Sequence, residues 1–149
     1  MTALAIFVLA SCNNSNEDDL PTPENLTASP ICGVVGVIDD ELFQHELEVY
    51  ETKVYVESVQ VNDDCATITY AVTVCGGEIS HVLVAEEAII EGDVKGRNLR
   101  VFYHLSEAPL CDGLESKALE FDLRNFQIEG ETQVLLHLDG WDEGITYRY

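Results

Sequence analysis

The chain has 149 residues, of which 28 are acidic and only 7 are basic, giving a formal net charge of −21. So strong a negative charge disfavours nucleic acid and anionic lipid headgroups as partners, and we predict no nucleic-acid binding. The hydrophobic fraction of 46% argues against global disorder, and the length suits one folded domain with its own core.

The chain opens with a short apolar run, Ala3 to Ala10, that leads into Leu9-Ala10-Ser11-Cys12. This run is far shorter than the roughly 20 residues of a membrane-spanning helix and fits the hydrophobic region of an export signal. The four residues resemble the lipobox of bacterial lipoproteins. The resemblance implies that residues 1–11 are a signal peptide and that Cys12 is lipidated after cleavage. No lysine or arginine precedes the run, so we expect that the basic start of the signal is truncated.

Residues 12–31 are polar and contain Pro21, Pro23 and Pro30, which predicts a disordered tether behind the lipidated cysteine. The start of the tether, Asn13 to Asp19, resembles the export signal by which Bacteroidota send lipoproteins to the cell surface. An ordinary solvated linker accounts for the same composition equally well. We therefore predict an outer membrane lipoprotein whose folded domain, residues 32–149, lies at the cell surface or on the periplasmic face.

Four further cysteines, Cys32, Cys65, Cys75 and Cys111, are an even number in a chain expected to be exported, which predicts disulfides. Residues 66–74 alternate as a single strand, so Cys65 and Cys75 should lie about 30 Å apart. That distance excludes a bond between them, because a disulfide needs Cα atoms within about 7 Å. Two pairings remain open: Cys32–Cys65 with Cys75–Cys111, or Cys32–Cys75 with Cys65–Cys111.

Alternation of apolar and polar residues predicts strands along the folded part. The apolar run 33–38 suits an edge or first strand, and residues 40–52 are predicted as strand or mixed structure, although Asp39 or Asp40 could cap a helix. Further strands are predicted at 54–61, 66–74, 79–85, 99–105, 118–123, 133–138 and 145–149. Hairpin turns are expected at Asn62-Asp63-Asp64, Gly76-Gly77 and Asp139-Gly140. The predicted fold class is all-β, an immunoglobulin-like antiparallel β-sandwich of seven or eight strands.

The stretch from Val59 to Cys75 resembles a recurring pattern of uncharacterised Bacteroidota exported lipoproteins, in which an aspartate and a cysteine precede a strand that ends near a glycine and cysteine turn. The downstream matches are Cys111, Phe121-Asp122-Leu123 and Ile145-Thr146-Tyr147, so the resemblance covers most of residues 54–149. It implies an exported β-domain with no established activity. It also favours the bond Cys75–Cys111, and with it Cys32–Cys65, as the preferred disulfide pairing.

Histidines and carboxylates suggest a possible metal site. His104 and His137 fall at polar positions of their strands, and together with Glu120 and Asp122 they could bind zinc or copper if one sheet brought them together. We favour the alternative of exposed histidines on a solvated face, and we predict neither a metal nor another cofactor. Loop carboxylates offer a calcium alternative, but no EF-hand pattern occurs and solubilising charge explains them better.

Trp141 is the only tryptophan and lies in an acidic loop, where it could stack on a sugar or anchor a protein. We favour the alternative that it covers one end of the core. Catalytic patterns have little support, because no G-x-S-x-G motif occurs and the exported cysteines are expected to be oxidised. A hydrolase would need two carboxyl groups that face each other across a cleft.

These patterns predict a membrane-anchored cell-envelope lipoprotein that is not an enzyme and that serves as a binding or structural module. Its expected partners are the membrane, through the lipid anchor, and an envelope protein or glycan. A module that binds divalent metals through histidines or loop carboxylates is the first alternative, and a hydrolase is the second.

Overall fold

The computed structural model describes residues 27–44, 55–73, 79–105 and 113–149. Side chains alternate along most of these segments, so apolar residues gather on one face of each strand and pack into a common core. The elements in chain order are β1 Val34–Val35, β2 Val37–Ile38, α1 Asp40–Gln44, β3 Tyr55–Asn62, β4 Cys65–Thr73, β5 Ile79–Ala85, β6 Gly96–Leu105, β7 Leu114–Asp122, a 3-10 turn Arg124–Phe126, β8 Gln133–Leu138 and β9 Ile145–Arg148.

Two sheets form the sandwich. The first sheet has the strand order β1-β7-β4-β3, and the second has the order β2-β5-β6-β8-β9. The predicted all-β sandwich is confirmed, but the pairing is mixed rather than wholly antiparallel, because β1 runs parallel to β7, β2 to β5 and β6 to β8. The hairpin predicted at Gly76-Gly77 is wrong, since β4 and β5 belong to different sheets. Alternation identifies the buried face of a strand and leaves its neighbours undetermined.

The apolar run 33–38 forms an edge strand in each sheet, which confirms the predicted edge position and raises the number of strands in the described ranges to nine. Gly36 lies between β1 and β2. A Cβ atom at this position would overlap the ring of Phe126 and would lie 3.1 Å from the carbonyl oxygen of Asp122. The chain can therefore pass from one sheet to the other at Gly36 because this residue has no side chain.

A short helix, α1, replaces the strand or mixed structure predicted for residues 40–44, and residues 45–52 lie outside the described ranges. Asp39 caps this helix, because its Oδ1 accepts a hydrogen bond from the amide of Leu42 at 2.9 Å. The helix covers part of the outer face of the second sheet and forms a small second core of Leu42, Phe43, Val82, Val84 and Phe102. Burial of Leu42 and Phe43 on that face outweighs their irregular spacing in the sequence.

A disulfide between Cys32 and Cys65 ties the segment before β1 to the first residue of β4. The Cα atoms are 5.9 Å apart, within the range that a disulfide requires. This bond belongs to the first of the two pairings that the sequence left open. It closes a loop with a sequence separation of 33 residues, which in the chain-entropy model stabilises the fold by about 4 kcal/mol.

Candidate functional site

An opening lies on the side of the sandwich where β1 and β2 are added. In the described part of the chain, β1 covers only Phe121 and Asp122 of β7, and β2 covers only Val84 and Ala85 of β5. The remaining lengths of β7 and β5 border a cavity of about 430 Å³, a volume typical of ligand sites. We call this cavity the side cleft, and its lining residues are Gly33, Val34, Thr67, His81, Ala118, Leu119, Glu120 and Phe121.

His81 lines the side cleft, and its ring packs against that of the buried Tyr70. His81 lies on β5 two residues before the buried Leu83, and Tyr70 is a buried residue of β4. Their rings meet edge to face, with centroids 5.5 Å apart and planes inclined by 68°. The Tyr70 hydroxyl and His81 Nε2 are both buried, and neither has a hydrogen-bond partner among the described residues. Because an unpaired buried polar atom costs about 1–3 kcal/mol, two such atoms side by side need an explanation.

Burial keeps both of these groups neutral near pH 7. Burial, and secondarily the positive charge of Lys117, lowers the pKa of His81 to about 4. Burial, and secondarily Tyr103, raises the pKa of the Tyr70 hydroxyl well above its usual value. A neutral imidazole and a neutral phenol can exchange hydrogen bonds with a polar ligand, but they supply neither a base with a pKa near 7 nor an anionic nucleophile.

Charged side chains lie along β7 beside the cleft. Lys117 is directly opposite Tyr70 in the register of β7 and β4, and its ammonium lies 2.8 Å from a carboxylate oxygen of Glu115. Glu120 lines the cleft and is exposed. The two carboxylates and one ammonium leave this edge with a net charge of −1, the same sign as the charge of the whole chain.

A second polar cluster surrounds Asp122, which is 1% exposed. One oxygen of its carboxylate accepts hydrogen bonds from Ser29 Oγ at 2.7 Å and Arg124 Nη2 at 2.5 Å, and the other accepts the Arg124 amide at 3.0 Å. The bonds from Arg124, and then the bond from Ser29, lower the pKa of Asp122 to about 2. Both oxygens are occupied by groups of the chain itself, so this cluster serves the fold.

The candidate metal ligands lie on strands of different sheets or far apart along them. His137 on β8 lies opposite Asn98 of β6, and His104 lies six residues further along β6, roughly 20 Å away at the rise of a strand. Glu120 and Asp122 belong to β7 in the other sheet. All four residues occupy polar positions of alternating strands, which suggested a common face. Alternation within a strand does not determine which sheet that strand joins. His137 is exposed.

The acidic loop residues accept hydrogen bonds from the chain. Asp39 caps α1, Asp40 accepts the amide of Glu87 at 2.7 Å, and Asp64 accepts the hydroxyl hydrogen of Tyr147 at 2.6 Å. Within the described ranges, no cluster of three or more histidine, cysteine, aspartate or glutamate side chains is placed to hold a metal ion. These loop carboxylates are therefore engaged in the fold.

Trp141 is partly buried and packs against the main core. Its amide donates to the carbonyl of Leu138 at 3.0 Å, which closes the turn after β8. Trp141 therefore covers part of the core and does not form an aromatic surface separate from it. The predicted lipidation site Cys12 and the cysteines Cys75 and Cys111 lie outside the described residues.

Sequence reasoning missed the pairing of Tyr70 with His81. The alternation of residues 66–74 marked Tyr70 as inward-facing. His81 lies two and four residues before the apolar Leu83 and Ala85, a spacing that would have predicted the inward face for His81 as well. The alternation of β5 is weak, because Val82 and Val84 are also apolar and are buried under α1. A strand with apolar residues on both faces hides the one polar side chain that points inward.

Among the described residues, no helix has the length and apolar character to cross a membrane.

No family model matches the chain, and no curated protein matches it. The chain is similar to the crystal structure of a protein of unknown function, DUF1344, from Bacteroides vulgatus, with 17% identity and a TM-score of 0.47. The match covers 77% of this chain and 54% of that protein, so this chain spans about half of its length.

Proposed function

We propose that this protein is a lipid-anchored lipoprotein of the cell envelope, and that its β-sandwich is a non-enzymatic module that binds a partner in the side cleft. The single observation that carries the binding role is a pair of buried atoms, the Tyr70 hydroxyl and His81 Nε2, that have no hydrogen-bond partner among the described residues, at a cavity that His81 lines. A polar ligand group in the cleft would satisfy both atoms and recover the cost of leaving them unpaired.

The envelope location is supported by the sequence and by one covalent bond. The residues Leu9-Ala10-Ser11-Cys12 resemble a lipobox, and the polar segment after them suits a tether. The disulfide between Cys32 and Cys65 is typical of proteins that fold outside the reducing cytoplasm. We place the domain at the outer membrane, on the cell surface or the periplasmic face, with an envelope protein or glycan as its partner.

The non-enzymatic assignment is supported by the chemistry of the cleft. His81 and Tyr70 are neutral near pH 7, so the pair suits recognition better than proton transfer or nucleophilic attack. Glu120 lines the cleft, and Glu115 is paired with Lys117 on the neighbouring stretch of β7. A binding module needs complementary shape and hydrogen bonds, and both are available here.

The anchor is tested by metabolic labelling of the full chain with a palmitate analogue in a bacterial host that processes lipoproteins. The wild-type protein should become labelled and lose residues 1–11, and Cys12→Ser should remain unlabelled, because the thiol is the acceptor. The matched control is the Cys32→Ser/Cys65→Ser double variant, which should still be labelled. An unprocessed and unlabelled wild-type chain would overturn the envelope assignment.

The cleft is tested with a photo-crosslinking amino acid placed in the full-length protein in intact cells. A crosslinker at Thr67, which lines the cleft, should capture a discrete envelope component, and one at the exposed Glu129 should not. The capture should weaken when His81→Phe is added, because one of the two recognition atoms is then absent. Equal capture from both positions, or none from Thr67, would contradict the binding role.

A further inference from the structure

The direction of the main-chain groups along β7 follows from one hydrogen bond. The amide of Gly36 donates to the carbonyl of Asp122 at 3.0 Å, so the main-chain groups of Asp122 point toward the β1 side. Successive residues of a strand point their main-chain groups to alternate sides, and β7 pairs with β4 without a register shift. The N–H and C=O groups of Glu120, Ala118 and Ser116 therefore point to the same side. Gly33 lies against the Glu120 carbonyl there, whereas Ala118 and Ser116 have no strand partner on that side among the described residues.

The same reasoning applies to β5. The amide of Asp39 donates to the carbonyl of Ala85 at 3.1 Å, so Ala85, Leu83 and His81 direct their main-chain groups toward the β2 side. Among the described residues, β2 pairs only with Val84 and Ala85. The open side of the sandwich thus presents main-chain donors and acceptors from both sheets, next to the cavity that holds His81.

The chain already shows how an extended segment fits on this side. β1 and β2 are short strands that add in parallel to β7 and β5 at one end of the opening. An exposed edge with unpaired groups is a template for another strand, and its main-chain hydrogen bonds supply affinity while pockets for alternate side chains supply specificity. The side cleft provides such a pocket, since His81 and the β7 edge line the same cavity.

We propose that the occupant of the side cleft is an extended, basic segment of another polypeptide, which adds as a strand to the open edge of β7. Alternate small polar side chains of that segment point inward to the cavity that His81 lines. The other side chains carry positive charge toward Glu120, and the net charge of −21 steers a basic segment to the site. This inference rests on the proposed function and names its partner class.

The test uses the full-length protein and a short synthetic peptide that alternates lysine with threonine and valine. Two control peptides have glutamate in place of lysine, or N-methyl groups on the alternate residues that would pair with β7. The lysine peptide should slow amide exchange at Ser116 and Ala118 by about tenfold or more, and both controls should bind roughly tenfold more weakly or worse. Equal binding of either control, or no binding of the lysine peptide, would overturn the inference.

A matched pair of variants tests the edge itself. Ala118→Pro removes an N–H that points away from β4, so it spares the ladder with β4 and should abolish peptide binding. Ala118→Val keeps the N–H and should retain binding. If Ala118→Pro does not fold, the N-methylated peptide decides the question on the wild-type protein.

Other occupants give different outcomes. Amides of Ser116 and Ala118 that are already protected in the free monomer would show that another part of this chain fills the edge, and a dimer broken by Ala118→Pro would show that a second copy does. Either result overturns the inference. Failure of the peptide while the Thr67 crosslink persists would overturn strand addition alone and leave the proposed binding module in place.

Discussion

Tyr147, on the last strand, donates its hydroxyl hydrogen to Asp64 at 2.6 Å, across 83 positions of the chain. Tyr147 is fully buried, and its oxygen also accepts a hydrogen bond from Gln127 at 2.8 Å. Asp64 lies in the turn between β3 and β4, directly before the disulfide cysteine Cys65. A single phenol therefore joins the end of the second sheet to the first hairpin of the first sheet.

Replacing this phenol should weaken the fold. Tyr147→Phe removes the bond to Asp64 and leaves Gln127 without its acceptor, so we expect the free energy of unfolding to fall by about 1–3 kcal/mol. Urea titration followed by fluorescence measures the change. Tyr55→Phe is the matched control, because Tyr55 is 65% exposed and its change should stay within about 0.5 kcal/mol. Equal effects of the two variants would contradict the assigned role.

The disulfide between Cys32 and Cys65 should contribute strongly to stability. The Cys32→Ser/Cys65→Ser double variant should lose about 2–5 kcal/mol in the free energy of unfolding, since the unfolded chain regains the freedom of the closed loop. Denaturant unfolding of both proteins measures this loss. The double variant leaves the other cysteines unchanged, which treatment with a reductant would not do. A loss below about 1 kcal/mol would argue against this bond in the native protein.

His81 should make stability depend on pH in the mildly acidic range. Its folded pKa of about 4 lies below the ordinary value of 6.5, so the unfolded chain binds more protons between these values. Stability should therefore decrease as the pH falls from 6.5 to 4. His81→Phe should flatten that part of the curve, and the exposed control His137→Gln should not. An unchanged slope in His81→Phe would show that the imidazole is not buried and neutral.

Asp122 should act in a separate and lower pH window. Its folded pKa of about 2 lies below the ordinary value of 3.8, so its stabilising contribution is present above pH 3.8 and is lost as the pH falls toward 2. Asp122→Asn should lower stability near neutral pH and flatten the curve in this window. The same unfolding experiments between pH 2 and pH 4 measure it. If Asp122→Asn still loses stability as steeply as the wild-type protein over this pH range, other carboxylates cause the loss.

Gly36 should tolerate no side chain. Gly36→Ala places a Cβ atom against Phe126, and we expect a loss of about 1–3 kcal/mol from overpacking. Phe126→Leu should recover part of that loss when the two changes are combined, because it relieves the clash. The four proteins of this double-mutant cycle are compared by denaturant unfolding. Strict additivity of the two changes would show that the ring does not limit this position.

The sequence predicted the local features of this fold well. Strict alternation of residues 66–74 predicted β4 and identified Tyr70 as inward-facing, because a strand with one buried face repeats every two residues. It also predicted an edge strand at 33–38 and included the bond between Cys32 and Cys65 in one of its two pairings. Each of these inferences depends on neighbours in the sequence or on a simple distance limit.

The candidate site depends on relationships that no local pattern contains. In the part of the chain that the structure describes, the side cleft exists because β1 and β2 cover only one end of β7 and β5, which are strands from distant parts of the chain. The grouping of His104 with Asp122 failed for the same reason, since their strands belong to different sheets. Parity indicates which way a side chain points, and only the assembled sheets determine what it meets.

The position of the sulfur bridge has a mechanical consequence. Cys32 precedes β1, whose pairing covers only two residues, whereas Cys65 begins β4, a strand hydrogen-bonded on both sides. Tension arriving along the backbone from the amino-terminal direction passes through the covalent link into that interior strand. The load therefore reaches a strand held by hydrogen bonds on both sides instead of the short edge strand β1, and a domain held by its leading end would resist being pulled apart.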